Sequence, residues 1–141
     1  MANEAVSIQE FTPAINFKCA DGTGIEQGAI LKLSDDMTAA LSDGDEDYIA
    51  GILKTEKIAN DGKTKCAVYI NGIFDVYCSG SVTAGQAVAT SSSTAGANIV
   101  TAATATAVGS KTLGVALEDH SGAATKIRVM LNPACNNTAY S

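Results

Sequence analysis

The chain has 141 residues, a net charge of −6 and no Trp, and its basic residues are few and scattered, which argues against a nucleic-acid ligand. No apolar run approaches the ~20 residues that a membrane helix needs, and the opening MANEAVSIQE lacks the basic-then-apolar layout of a signal peptide, so synthesis in a cytosol and no membrane partner are expected. The length suits one domain, but the apolar residues are mostly small or β-branched, so the core is expected to be thin and to gain from oligomerisation or a partner surface.

Residues 1–20 stand apart. In AVSIQEFTPAINF the apolar residues Val6 and Ile8 change phase before Phe11, Ile15 and Phe17, and Pro13 forbids a central-strand ladder. The segment reads equally as an extended N-terminal arm or as the first edge strand of the domain. Next, IEQGAILKLS (Ile25 to Ser34) predicts a strand entered through Gly28. DDMTAALSDGDEDYIAG is heavily punctuated by Gly and Asp and has room for one helical turn at most.

The stretch from Gly51 to Asn71 predicts a β-hairpin. Its second strand, KCAVYI, places Cys66, Val68 and Ile70 on one face, the period-two pattern of a half-buried strand. The turn between its strands carries Asp61-Gly62, a pair that supplies positive φ at low cost. Asn71-Gly72 then predicts a second turn, pairing KCAVYI with GIFDVYC, where Phe74, Val76 and Cys78 form the more apolar face. Residues 79–112 are almost free of charge, yet Thr, Val and Ile recur with β character, so short strands joined by a Ser/Gly loop near Ser91–Ala97 are expected.

From Gly114 the hairpin phrase returns. Gly51 falls on Gly114, Ile52 on Val115 and Glu56 on Asp119; two extra residues in the first turn then bring Lys65 onto Lys126, Val68 onto Val129 and Ile70 onto Leu131. Upstream, Gly28 falls on Gly85. The chain therefore reads as two related β-units, Ile25–Asn71 and Val82–Asn132, within a β-domain over 21–132, followed by an exposed tail over 133–141. Two copies are too few for a solenoid, and a duplicated sheet closing on itself is the simpler arrangement.

Recognisable catalytic chemistry is missing. DGKT (Asp61 to Thr64) holds the end of a phosphate loop, but Lys57 stands where its first Gly belongs and a strand follows instead of a helix. DGDED (Asp43 to Asp47) spaces carboxylates as calcium loops do, without the sharp-turn Gly or the distal Glu, and reads as a solvated acidic loop. His120 sits in a polar turn with no nucleophile motif around it. Cys19, Cys66, Cys78 and Cys135 are far apart, and with one His they make no familiar zinc set, so they read as small core hydrophobes. Neither an enzyme nor a metal or cofactor is expected.

The order of GIEQGAILKLSDDMTAALSDGD, IAGILKTEKIANDGKTKCAVYINGIFDVYCSGSVTAGQAV and LGVALEDHSGAATKIRVML resembles the small capsid cement, or head decoration, proteins of tailed bacteriophages, over roughly residues 20–132. The resemblance implies an all-β fold, a single β-barrel or tulip-like domain. It implies a structural virion protein, without cofactor, that binds the outer surface of the mature capsid. The partner would be the major capsid protein and the assembly a homotrimer. Carried onto this chain, it places Val6, Ile8, Phe11, Ile15 and Phe17 against capsid protein or a neighbouring copy. The alternative is a phage surface or fibre β-domain that binds a host glycan, against which the shortage of aromatic platforms counts.

Overall fold

The computed structural model describes residues 3–91, 94–103 and 111–132. The strands are β1 (Val6–Gln9), β2 (Ile15–Lys18), β3 (Ile30–Asp35), β4 (Thr38–Leu41), β5 (Ile49–Leu53), β6 (Lys65–Tyr69), β7 (Gly72–Cys78), β8 (Ala87–Thr90), β9 (Ile99–Ala102), β10 (Gly114–Ala116) and β11 (Thr125–Leu131). No α-helix occurs among the described residues, and the all-β class holds.

The duplication is architectural. Strands β2-β4-β3-β5-β6 close into one barrel, and β7, β11, β10, β8 and β9 close into a second through the β7–β9 pairing. The wiring is the same in both. The first strand of each runs parallel to the third and antiparallel to the fifth. The sequence alignment carries through to the register: Ile52 faces Tyr69 in the first barrel, and Val115 faces Met130 in the second. Each sheet thus closes on itself, which leaves few unpaired edges. Each barrel also takes in a strand, β2 or β7, that lies upstream of the repeat as read from sequence.

Alternation sets the core. Cys66 and Val68 of β6, Phe74, Val76 and Cys78 of β7, and Ile127, Val129 and Leu131 of β11 all point inward, as their spacing requires. Strand β5 is buried throughout because it serves both barrels. Ala50 and Leu53 join the first core with Phe17, Leu31 and Val68, while Ile49 and Ile52, with Ile30 and Ala5, join the second. Asn98 seals this junction by accepting the buried Ile30 N–H at 2.9 Å. Cys19, Cys66 and Cys78 are free thiols inside these cores; burial pushes Cys66 up to about 12, helped by Cys19 beside it. Cys135 and the tail lie outside the described residues.

Three expectations meet a different arrangement. Asn71-Gly72 makes no hairpin, because both edges of β6 are already taken by β5 and β2, and β7 must start the second barrel. TAAL, read as at most a helical turn, is strand β4; closing the barrel between β2 and β3 outweighs the weak strand preference of Ala. The extended N-terminal arm is not confirmed: β1 pairs antiparallel with β7, and β2 is an integral stave of the first barrel.

Candidate functional site

The N-terminal segment crosses from one barrel to the other. Its start is fixed where the Ala5 N–H donates to Gly28 O at 2.8 Å. Gly28 must lack a side chain here, since a Cβ would lie 2.3 Å from Ala5 O. β1 then lies along the edge of β7, with Val6 opposite Asp75 and Gln9 opposite Ile73. Beyond it, Glu10 pairs with Lys54 at 3.7 Å, and Lys54 lies over the Tyr69 ring at 5.7 Å. Burial and the neighbouring Glu10 carboxylate raise the Tyr69 hydroxyl above its ordinary value. Thr12 Oγ1 donates to Asn71 Oδ1 at 3.0 Å. Beneath this strap lies a cleft of about 560 Å³, walled by Gly28, Leu53, Tyr69, Phe74 and Tyr77.

Val6, Ile8 and Phe11 are exposed on the strap, Val6 also lining the cleft, and Ile15 follows as the exposed first residue of β2; these residues are 39–47 % exposed. Phe17 departs from the expected set. It is 8 % exposed and packs in the first core, because β2 pairs with β6 and directs Phe17 to the same interior as Cys66. Phe17 is therefore unavailable to a partner. A further group, Leu33, Met37 and Tyr48, is exposed around the β3–β4 turn. Sequence reasoning missed it, since DDMTAAL does not look like a hairpin tip; the Met in a two-residue turn was the available signal.

The polar motifs turn out to be structural. One oxygen of Asp47 accepts hydrogen bonds from Ser42 Oγ at 2.7 Å and from the Asp43 and Gly44 N–H groups at 3.0 Å, so the acidic loop folds around its own carboxylate. In DGKT, the Asp61 carboxylate binds Lys57 Nζ at 2.7 Å and the Lys63 N–H at 2.9 Å. His120 is buried, with Nδ1 2.6 Å from Gly80 O and Nε2 3.1 Å from Ala123 O. The exposed apolar side chains of both groups stand on a closed scaffold.

No curated protein sequence matches the chain. The phage cement protein family matches residues 8–131, a span that contains both barrels and most of the strap. The chain belongs to the phage cement protein family.

Proposed function

We propose that this protein binds the outside of the mature phage capsid and stabilises contacts between capsid subunits, acting as a structural component and not as a catalyst. The family match over residues 8–131 carries this reading. The fold is suited to it. Closed barrels resist deformation and offer few strand edges for misdirected pairing, while Val6, Ile8, Phe11 and Ile15 stand exposed on a strap tied to both barrels. A ligand that binds only the mature lattice stabilises that lattice by linkage. The partner is the major capsid protein, and a contact of about 800 Å² per side is of the ordinary size for such recognition. Assembly as a homotrimer multiplies modest contacts through effective concentration. The protein is made in the host cytoplasm and ends on the outer capsid surface, with no nucleic acid, membrane or cofactor involved.

Purified protein mixed with expanded, undecorated capsids of its own virus tests this. Co-sedimentation, and electron cryomicroscopy density on the outer shell at three-fold positions, are expected. No binding, or density on tail or fibres alone, would overturn the reading.

A further inference from the structure

The turn between β3 and β4 is built in an uneconomical way. Met37 occupies it with φ of 47°, a region where Gly or Asn is the low-strain choice. Its backbone is needed: the Lys18 N–H donates to Met37 O at 2.6 Å, which helps close the first barrel. Any residue supplies that carbonyl, so closure does not account for the methionine side chain. That side chain is 52 % exposed and shares a shallow hollow of about 370 Å³ with Leu33 and Tyr48, themselves 44 % and 56 % exposed. Leu33 and Tyr48 are held together by the backbone bond from Leu33 N–H to Tyr48 O at 2.8 Å.

The tip is also ordered before any partner arrives. Asp35 Oδ1 accepts the Asp36 N–H at 2.8 Å, and Thr38 Oγ1 donates to Asp36 O at 2.8 Å. Asp35 and Asp36 line the same hollow, and neither has an ion-pair partner among the described residues. One nearby cation, Lys111, is engaged with the Tyr48 ring at 5.1 Å. An apolar hollow edged by unpaired carboxylates matches a surface that presents an apolar side chain flanked by Lys or Arg.

We propose that the Leu33–Met37–Tyr48 hollow is a second docking surface, taking a capsid-protein surface with an apolar knob and a cationic rim. This rests on the capsid-binding reading and adds to it. The hollow adjoins the Lys18 end of β2, whereas the strap's apolar residues lead into its Ile15 end.

The test uses the full chain and expanded, undecorated capsids of its virus. Met37→Gly relieves the turn, so its thermal midpoint should equal or exceed that of the wild type while capsid affinity falls about tenfold. Tyr48→Ser should weaken binding similarly. Wild-type affinity should fall as salt rises, and charge reversal by Asp35→Lys with Asp36→Lys should weaken binding and remove that salt dependence. Wild-type affinity in all these variants would overturn the proposal while leaving capsid binding intact. Variants that change self-association in sedimentation but not capsid affinity would overturn it in favour of a second copy as occupant. Failure of the wild type itself to bind would remove both readings.

Discussion

Lys57 and His120 occupy the same position in the two barrels. Each makes a reciprocal backbone pair across the barrel end, Lys57 with Ile25 and His120 with Val82, at 2.8–2.9 Å. Each buried side chain also reaches a backbone carbonyl just beyond the first strand of its barrel, Asp21 O for Lys57 and Gly80 O for His120. Duplication kept the architectural task and changed the chemistry. Lys57 has carboxylates to meet it, Asp21 at 3.1 Å and Asp61 at 2.7 Å, and burial of its charge is outweighed by these bonds, so its ammonium is held above the ordinary value. His120 has two carbonyls, and a neutral ring can donate to one of them at a time.

Lys57→Met should lower the thermal midpoint by several degrees at neutral pH, because it strands two carboxylates and the carbonyls of Asp21 and Ile58. A pKa raised on folding stabilises below the unfolded value and is lost as pH rises through the folded one. The gap between wild type and Lys57→Met in thermal melts should therefore be full near neutrality, shrink at strongly alkaline pH as the ammonium is lost, and shrink in strong acid as the lowered Asp61 carboxyl takes up its proton. A gap that stayed the same from strong acid to strong alkali would contradict the role given to the ammonium.

Gly51 and Gly114, the paired glycines that open the repeated hairpin, answer to one steric demand. A Cβ at Gly51 would sit 2.0 Å from Tyr69 O, and one at Gly114 would sit 1.9 Å from Met130 O. Backbone carbonyls in a closed sheet cannot move aside. Gly114→Ala and Gly51→Ala should each cost about 3 kcal/mol or fail to fold. Gly85, with φ of 96° and open space around its absent Cβ, provides the contrast; Gly85→Ala should cost only about 1–2 kcal/mol from the left-handed backbone. Urea denaturation of the three variants checks the ranking.

Asp47 should govern acid sensitivity. Burial works to raise its carboxyl, but the bonds from Ser42, Gly44 and Asp43 prevail and hold it below the ordinary 3.8. A lowered folded value contributes stability above the unfolded value and loses it as pH falls through the folded one. The same loop joins the barrels, since the Asp47 N–H donates to Thr90 Oγ1 at 3.1 Å and the Glu46 N–H to Thr90 O at 2.9 Å. Asp47→Ala should destabilise by about 1.5–3 kcal/mol at neutral pH. Its stability should then change less than that of the wild type between about pH 5 and about pH 2.

Phe11 and Phe17 should separate attachment from folding. Phe17→Ala empties part of the first core and should cost about 3–5 kcal/mol. Phe11→Ala alters an exposed side chain and should change stability by less than about 0.5 kcal/mol. Under the capsid-binding reading it should nonetheless weaken co-sedimentation with undecorated capsids. Equal binding by Phe11→Ala and wild type would remove Phe11 from the contact.

By itself the sequence determined the all-β class, the duplication and the inward face of most strands. Period-two spacing is a local property, so Cys66, Val68, Phe74, Val76, Ile127 and Val129 could be assigned to the interior before any strand had a partner. Val6, Ile8, Phe11, Ile15 and Phe17 were singled out as a group only through the family resemblance, and spacing alone did not separate the exposed four from the buried Phe17. Only the tertiary structure decided which edges meet. With both edges of β6 occupied, Asn71-Gly72 became a junction between barrels. The parallel closures, Lys18 with Thr38 and Tyr77 with Ile99, turned TAAL into a stave and drew Phe17 into the core. They also left Met37 at an exposed tip, and the barrel-end bridges buried Lys57 and His120. Those outcomes depend on pairings between strands distant in the chain, and such pairings are settled by which edges and which buried volume remain once the local hairpins have formed.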